Sequence, residues 1–171
     1  MVKYIYSVFF LISFLNCYGQ KLYKINKNKY GEPLLNEKAQ YSFTYVLDND
    51  DLKKIDTAAF YKHVFEDDYS NYTEKKNPRI IIFHNDGFFK NESFLYFGKF
   101  SNHRNKNSIY YGGKYRINGN KIELERFIKS PDSKNWYIRN ITSGIIEGNR
   151  IILNNKEKII VFEKQNKVSR L

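Results

Sequence analysis

Cysteine, tryptophan and methionine occur once each in these 171 residues, and proline and histidine three times each. The one cysteine, Cys17, sits inside an N-terminal stretch with the form of an export signal, so the domain behind it has none. That excludes a disulfide framework, a thiol nucleophile and a thiolate metal site. His63, His84 and His103 show no chelating i, i+2 or i, i+4 spacing, and no metal is expected. There is no Gly-x-Ser-x-Gly elbow and no glycine-rich phosphate loop. Asp48-Asn49-Asp50-Asp51 has the aspartates of a calcium loop without its glycine and distal glutamate, and reads as a solvated loop or helix N-cap. Glu123 and Glu125 share one strand face, but Arg116 and Lys114 opposite them account for both. No catalytic residue or cofactor is expected, and the chain reads as a non-enzyme. It also lacks a recognition helix, a zinc finger and an RNP-like strand, so nucleic acid is not the expected partner.

The leader is the first thing present. Lys3 is a short basic region, residues 8–15 are apolar, and Cys17-Tyr18-Gly19 places small residues at −3 and −1 of a cut before Gln20. The apolar run is too short for a membrane-spanning helix. Residues 1–19 therefore read as a signal peptide, with the product released to periplasm or medium. Phe14-Leu15-Asn16-Cys17 also matches a lipobox loosely, and in that alternative an acylated Cys17 tethers the protein to a membrane. An uncleaved anchor is a third reading. About 150 residues remain after cleavage, enough for one domain to bury some two-thirds of its unfolded surface.

Aromatic residues make up 18% of the chain and alanine is scarce, a composition that favours strands. The formal charge is +11, which suits anionic partners. The lysines are spread out, with denser groups at Lys21, Lys24, Lys27 and Lys29 and at His103, Arg104 and Lys106.

Residues 20–40 read as an extended or poorly ordered basic arm, 41–165 as a single β domain, and 166–171 as a polar tail. Residues 41–47 alternate like a strand, 52–57 read as a helical turn, and 59–65 fit either a strand or a helix, with strand favoured because Phe60 and Val64 fall on one face and Tyr61, His63 and Phe65 on the other. Residues 66–78 are a polar loop. Residues 79–83 and 88–90 flank Asp86-Gly87, a hairpin signal, and 94–97 read as a further strand. Ile117-Asn118-Gly119-Asn120-Lys121-Ile122-Glu123-Leu124 recurs as Ile146-Glu147-Gly148-Asn149-Arg150-Ile151-Ile152-Leu153. With Gly119-Asn120 as the loop, Ile117 meets Ile122, Arg116 meets Glu123, Tyr115 meets Leu124 and Lys114 meets Glu125. One face is then apolar and the other pairs opposite charges, so a one-residue slip would bury charge. Glu147 with Arg150 and Ile146 with Ile151 repeat the pattern. The expected fold is all-β: an antiparallel meander of about eight to ten strands that closes into an up-and-down barrel and so removes its edges.

The run 113–125, the second copy at 144–153 and the ending at 159–164 resemble small exported lipocalin-like proteins of Bacteroidetes over about residues 55–165, and the leader ending Gly19-Gln20 resembles their secretion signals. The Gly-x-Trp element of true lipocalins is absent, the lone Trp136 lying late in the chain. The resemblance implies a lipocalin-like barrel and carries no catalytic residue.

Two functions are expected from these readings. In the first, Tyr115, Ile117, Ile122, Leu124, Ile146, Ile151 and Phe162 line a barrel interior that holds a small apolar ligand, unless they simply fill it as core. In the second, the protein is an envelope-associated interaction module. It binds an anionic surface, a glycan or a partner protein through Lys21, Lys24, Lys27, Lys29, His103, Arg104 and Lys106, with Tyr110 and Tyr111 exposed beside them. An inhibitor or immunity protein at the envelope is a variant of the second.

Overall fold

The computed structural model describes residues 21–65, 72–97, 105–131, 133–155 and 158–166. The leader with Cys17, the loop residues His103 and Arg104, residues 66–71 and the tail from 167 lie outside the described residues.

Among the described residues are nine strands: β1 (Leu22–Lys24), β2 (Phe60–Val64), β3 (Arg79–Phe83), β4 (Phe88–Ser93), β5 (Gly112–Asn118), β6 (Lys121–Lys129), β7 (Trp136–Glu147), β8 (Arg150–Asn155) and β9 (Lys158–Gln165). From β2 onward each strand pairs antiparallel with its successor, and β9 returns to β2 from Phe60↔Gln165 to Val64↔Val161. Eight strands thus close into an up-and-down barrel with no free edge in the ring. β1 adds only to the start of β7, with Leu22 opposite Ile138.

The hairpin registers follow from alternation and turn chemistry. β5 and β6 pair Ile117↔Ile122, Tyr115↔Leu124 and Lys114↔Glu125, and β7 and β8 pair Ile146↔Ile151 and Glu147↔Arg150. Gly119 at φ 60° and Gly148 at φ 56° take the left-handed conformation that both tight turns need. These turns and the β3–β4 turn at 84–87 all lie at one end of the barrel, while the longer connections lie at the other.

The hairpin end is sealed. Helix α1 (Asn49–Lys54) starts at Asp48, whose side chain accepts from the Asp51 amide while the Asp51 carboxylate accepts from the Asp48 amide. Leu47, Leu52 and Ile55 around it join the same cluster as Ile117, Ile122, Ile146 and Ile151 inside the barrel. Above them Phe83 packs edge-on against Tyr115 at 4.8 Å and against Tyr61 at 5.4 Å between ring centres. The Tyr115 hydroxyl donates to the His84 carbonyl, so its polar tip is satisfied at the wall.

The arm expected over residues 20–40 as extended or poorly ordered is, over the described residues 21–40, held against the barrel, and three other segments differ from expectation. The chain from Lys21 onward lies along the outer wall, where Tyr23, Ile25 and Ala39 pack with Phe127 of β6 and Tyr137 of β7. Residues 41–47 form no strand, because the Ser42 and Phe43 amides donate to the Glu125 carboxylate at 2.7 and 2.8 Å instead of to a neighbouring strand. Residues 94–96 form a 3-10 turn. The Phe94 amide bonds the Pro78 carbonyl and the Leu95 amide bonds the Asn77 side chain, which brings Phe97 to 4.7 Å from Phe60 over the outside of β2 and β3. A short helix α2 (Tyr72–Lys76) also occupies the end of the expected polar loop. Among the described residues no helix is long and apolar enough to cross a membrane.

Candidate functional site

The seven interior residues named from the sequence are all found inside the barrel. Tyr115, Ile117, Ile122, Leu124, Ile146, Ile151 and Phe162 are buried and belong to one continuous cluster with Ile81, Phe83 and Phe89. The cavity above them, at the end of the long connections, measures about 30 Å³. A water needs roughly 10–15 Å³ by the same measure, whereas a small-molecule site is roughly 300–1,000 Å³.

The basic arm and the basic loop come together on the outer wall. The Leu35 amide donates to the Asn107 carbonyl and the Ile109 amide to the Pro33 carbonyl, at 2.9 and 3.2 Å. Lys21, Lys24, Lys27, Lys29 and Lys106 are all exposed. Lys29 lies over the ring of exposed Tyr30, and Lys106 pairs with Asp86. Tyr110 is 51% exposed as expected, but Tyr111 is 5% exposed and its hydroxyl meets His84 Nε2 at 2.7 Å. Tyr111 is therefore part of the wall that anchors this loop and not part of the binding face. His103 and Arg104 lie outside the described residues.

The arm does more than carry charge. Between it and the start of β7 runs an open groove of about 970 Å³, lined by Lys21, Lys24 and Lys38 with Leu22 and Trp136, and with Glu37 as its one carboxylate. Trp136 is 39% exposed. Sequence reasoning placed two of these lysines and missed Trp136, Leu22 and Lys38. No periodic signal links them, because β1 reaches Trp136 through the pairing Lys24↔Trp136, across more than a hundred residues.

Glu125 is the polar anchor of this arrangement. It is on the outer wall and fully buried, accepting from the Ser42 and Phe43 amides and from Ser42 Oγ. Its ionic partner is Arg139, with Nε 3.1 Å from Oε1, and not the expected Lys114. Lys114 stands opposite in register but lays its ammonium over the Phe88 ring. The Arg139 guanidinium also donates to the Gln40 carbonyl, which ties the arm to β7 a second time. Arg116 does pair with Glu123, as expected.

The small cavity at the end opposite the hairpin turns has a polar rim, among the described residues, that sequence reasoning also missed. Arg79, Asn91, Arg126, Thr142 and Asn155 surround it. The signal was there, since Arg126 continues the inward phase of Ile122 and Leu124, and Arg79 that of Ile81 and Phe83. Burial lowers the pKa of the Arg126 guanidinium, and the Arg79 charge adds to the effect. His63, stacked 5.5 Å from Phe162, is held below its ordinary value by burial, with Arg79 and Lys158 pushing the same way and Glu74 opposing.

No protein-family model, curated protein or solved structure matches the chain.

Proposed function

We propose that this is an exported, non-catalytic barrel that serves as an interaction module at the cell envelope, holding an acidic glycan along its N-terminal arm. The observation that carries this reading is the groove with Lys21, Lys24 and Lys38 on its walls and Trp136 beside them. Ammonium groups attract the carboxylates or sulfates of such a polymer, and an indole offers a flat apolar face with a polar edge to a sugar ring. The exposed Lys27, Lys29, Tyr30 and Tyr110 extend the same surface. Export is read from the leader, and it takes the chain to where acidic glycans are abundant. A carrier of an apolar ligand has weaker support, because the cavity that the described residues line inside the barrel measures about 30 Å³.

Trp136 is the chain's one tryptophan, so its fluorescence reports on this groove alone. Titration with alginate oligomers should give a saturable change whose affinity falls as sodium chloride rises. Replacing Lys21, Lys24 and Lys38 together by Gln should weaken binding at least tenfold without moving the urea midpoint. An unchanged emission, with no retention on alginate or lipopolysaccharide at low salt, would overturn the proposal. Native mass spectrometry of protein from its exporting cell tests the remainder. A chain beginning at Gln20 agrees with release, an acylated Cys17 makes it a tethered lipoprotein, and a retained apolar molecule returns the reading to a carrier.

A further inference from the structure

We propose that the end of the barrel opposite the hairpin turns is a receptor for a single phosphate group, held by Arg79 and Arg126 with Asn91, Thr142 and Asn155. The site is distinct from the arm groove and does not depend on it.

The donors come from five strands. Arg79 opens β3, Asn91 lies on β4 opposite Ile81, Arg126 is on β6 opposite Asn140, Thr142 is on β7 opposite Leu124, and Asn155 closes β8. All five line one cavity of about 30 Å³ whose floor is Phe89, Leu153 and Phe162. Neither guanidinium makes a side-chain hydrogen bond or ion pair among the described residues. The Asn140 amide donates to Thr142 Oγ1 at 3.1 Å, which leaves the threonine proton free to point inward.

Arg79 is exposed and Arg126 half-buried at this cavity, and among the described residues no carboxylate pairs with either, so their mutual repulsion is relieved when an anion binds. Burial already disfavours the charge on Arg126, and Arg79 adds repulsion. An oxyanion relieves both by taking charge-assisted hydrogen bonds from each. The arrangement of donors selects the anion. A carboxylate is planar and is satisfied by one guanidinium edge, whereas these donors converge from around a ring. A tetrahedral group with three terminal oxygens accepts from several directions at once. The cavity itself holds about two waters, so the phosphate sits across its mouth, its oxygens taking the place of those waters and any organic remainder extending outward.

The test is titration of the purified protein with inorganic phosphate at pH 7.5, with sodium chloride holding the ionic strength constant. Amide spectra should show saturable shifts of the Asn91 and Asn155 side chains and of the Arg126 Nε–H. Arg126→Met and Arg79→Met should each weaken binding at least tenfold, while the Lys21, Lys24 and Lys38 variant should bind phosphate unchanged. The urea midpoint of each arginine variant verifies that it is folded. Sodium acetate should bind at least tenfold more weakly. Competition by glycerol phosphate alone would identify a soluble ester as the source, and competition by phosphatidic acid vesicles a lipid headgroup. The absence of saturable shifts, shifts unaltered in both arginine variants, or acetate binding as tightly as phosphate would each overturn the assignment.

Discussion

Glu125 shows how one residue can decide the path of a distant segment. Its carboxylate is fully buried, accepts from two backbone amides and a hydroxyl, and pairs with the charge of Arg139. Deleting it would leave those donors and the arginine charge uncompensated beneath the arm. Glu125→Ala should therefore cost about 3–5 kcal/mol, as loss of one partner of a buried pair does, read as a fall in the urea midpoint. Hydrogen exchange at Ser42 and Phe43 should accelerate more than at Leu124 or Arg126. Equal acceleration throughout would mean that Glu125 supports the barrel generally and is no anchor for the arm. Alternation along β6 places Glu125 on the outer face correctly. It cannot say that the outer face is covered there, and so Lys114, its neighbour in register, was the natural partner to expect. A surface pair with Lys114 would have been worth little, whereas the covered site makes the amides and Arg139 the stronger partners.

Among the elements, α1 is the one whose local chemistry has a consequence for the whole barrel. The reciprocal cap of Asp48 and Asp51 starts a helix that is too short to persist alone, and that helix carries Leu47, Leu52 and Ile55 into the hairpin end. Asp48→Ala should destabilise the protein by about 1 kcal/mol, measured by urea unfolding. A loss much below that would show that the apolar contacts hold α1 without the cap. The hairpins were legible because each is specified within a few residues by a turn glycine and by faces that a slip would exchange. Residues 94–97 were not, since an apolar-aromatic run has the composition of a strand in any setting. What makes it a 3-10 turn is a pair of backbone bonds to Asn77 and Pro78 and the apolar outer face of β2 and β3 that it must cover.

At the scale of the whole molecule, the barrel has one end sealed by α1 and an opposite end whose described lining carries Arg79 and Arg126, and the difference has a pH signature. His63 is held neutral by burial, by Arg79 and by Lys158 against Glu74, so its folded pKa lies below the ordinary value of about 6.5. In the window between the two values the unfolded chain binds more protons than the folded one. The stability that comes from neutral His63 is present above about pH 6.5 and is lost as pH falls through the folded value. His63→Phe keeps a ring against Phe65 and Phe162 and removes the proton. Urea midpoints between pH 7 and pH 5 should fall further for the parent protein than for this variant, and parallel curves would refute the account.

Alternation and turn chemistry by themselves determined the hairpin registers, the inward phase of the strands and the residues of the core, because each depends on neighbours close along the chain. Closure of β9 onto β2 was expected only in general terms, from the need to remove edges. The course of the arm, the partner of Glu125, the groove that joins Trp136 to the lysines, and the meeting of Arg79 with Arg126 were decided by the tertiary structure alone. Each is a contact between residues far apart in sequence, selected by which surface another segment covers, and neither period nor propensity records that choice.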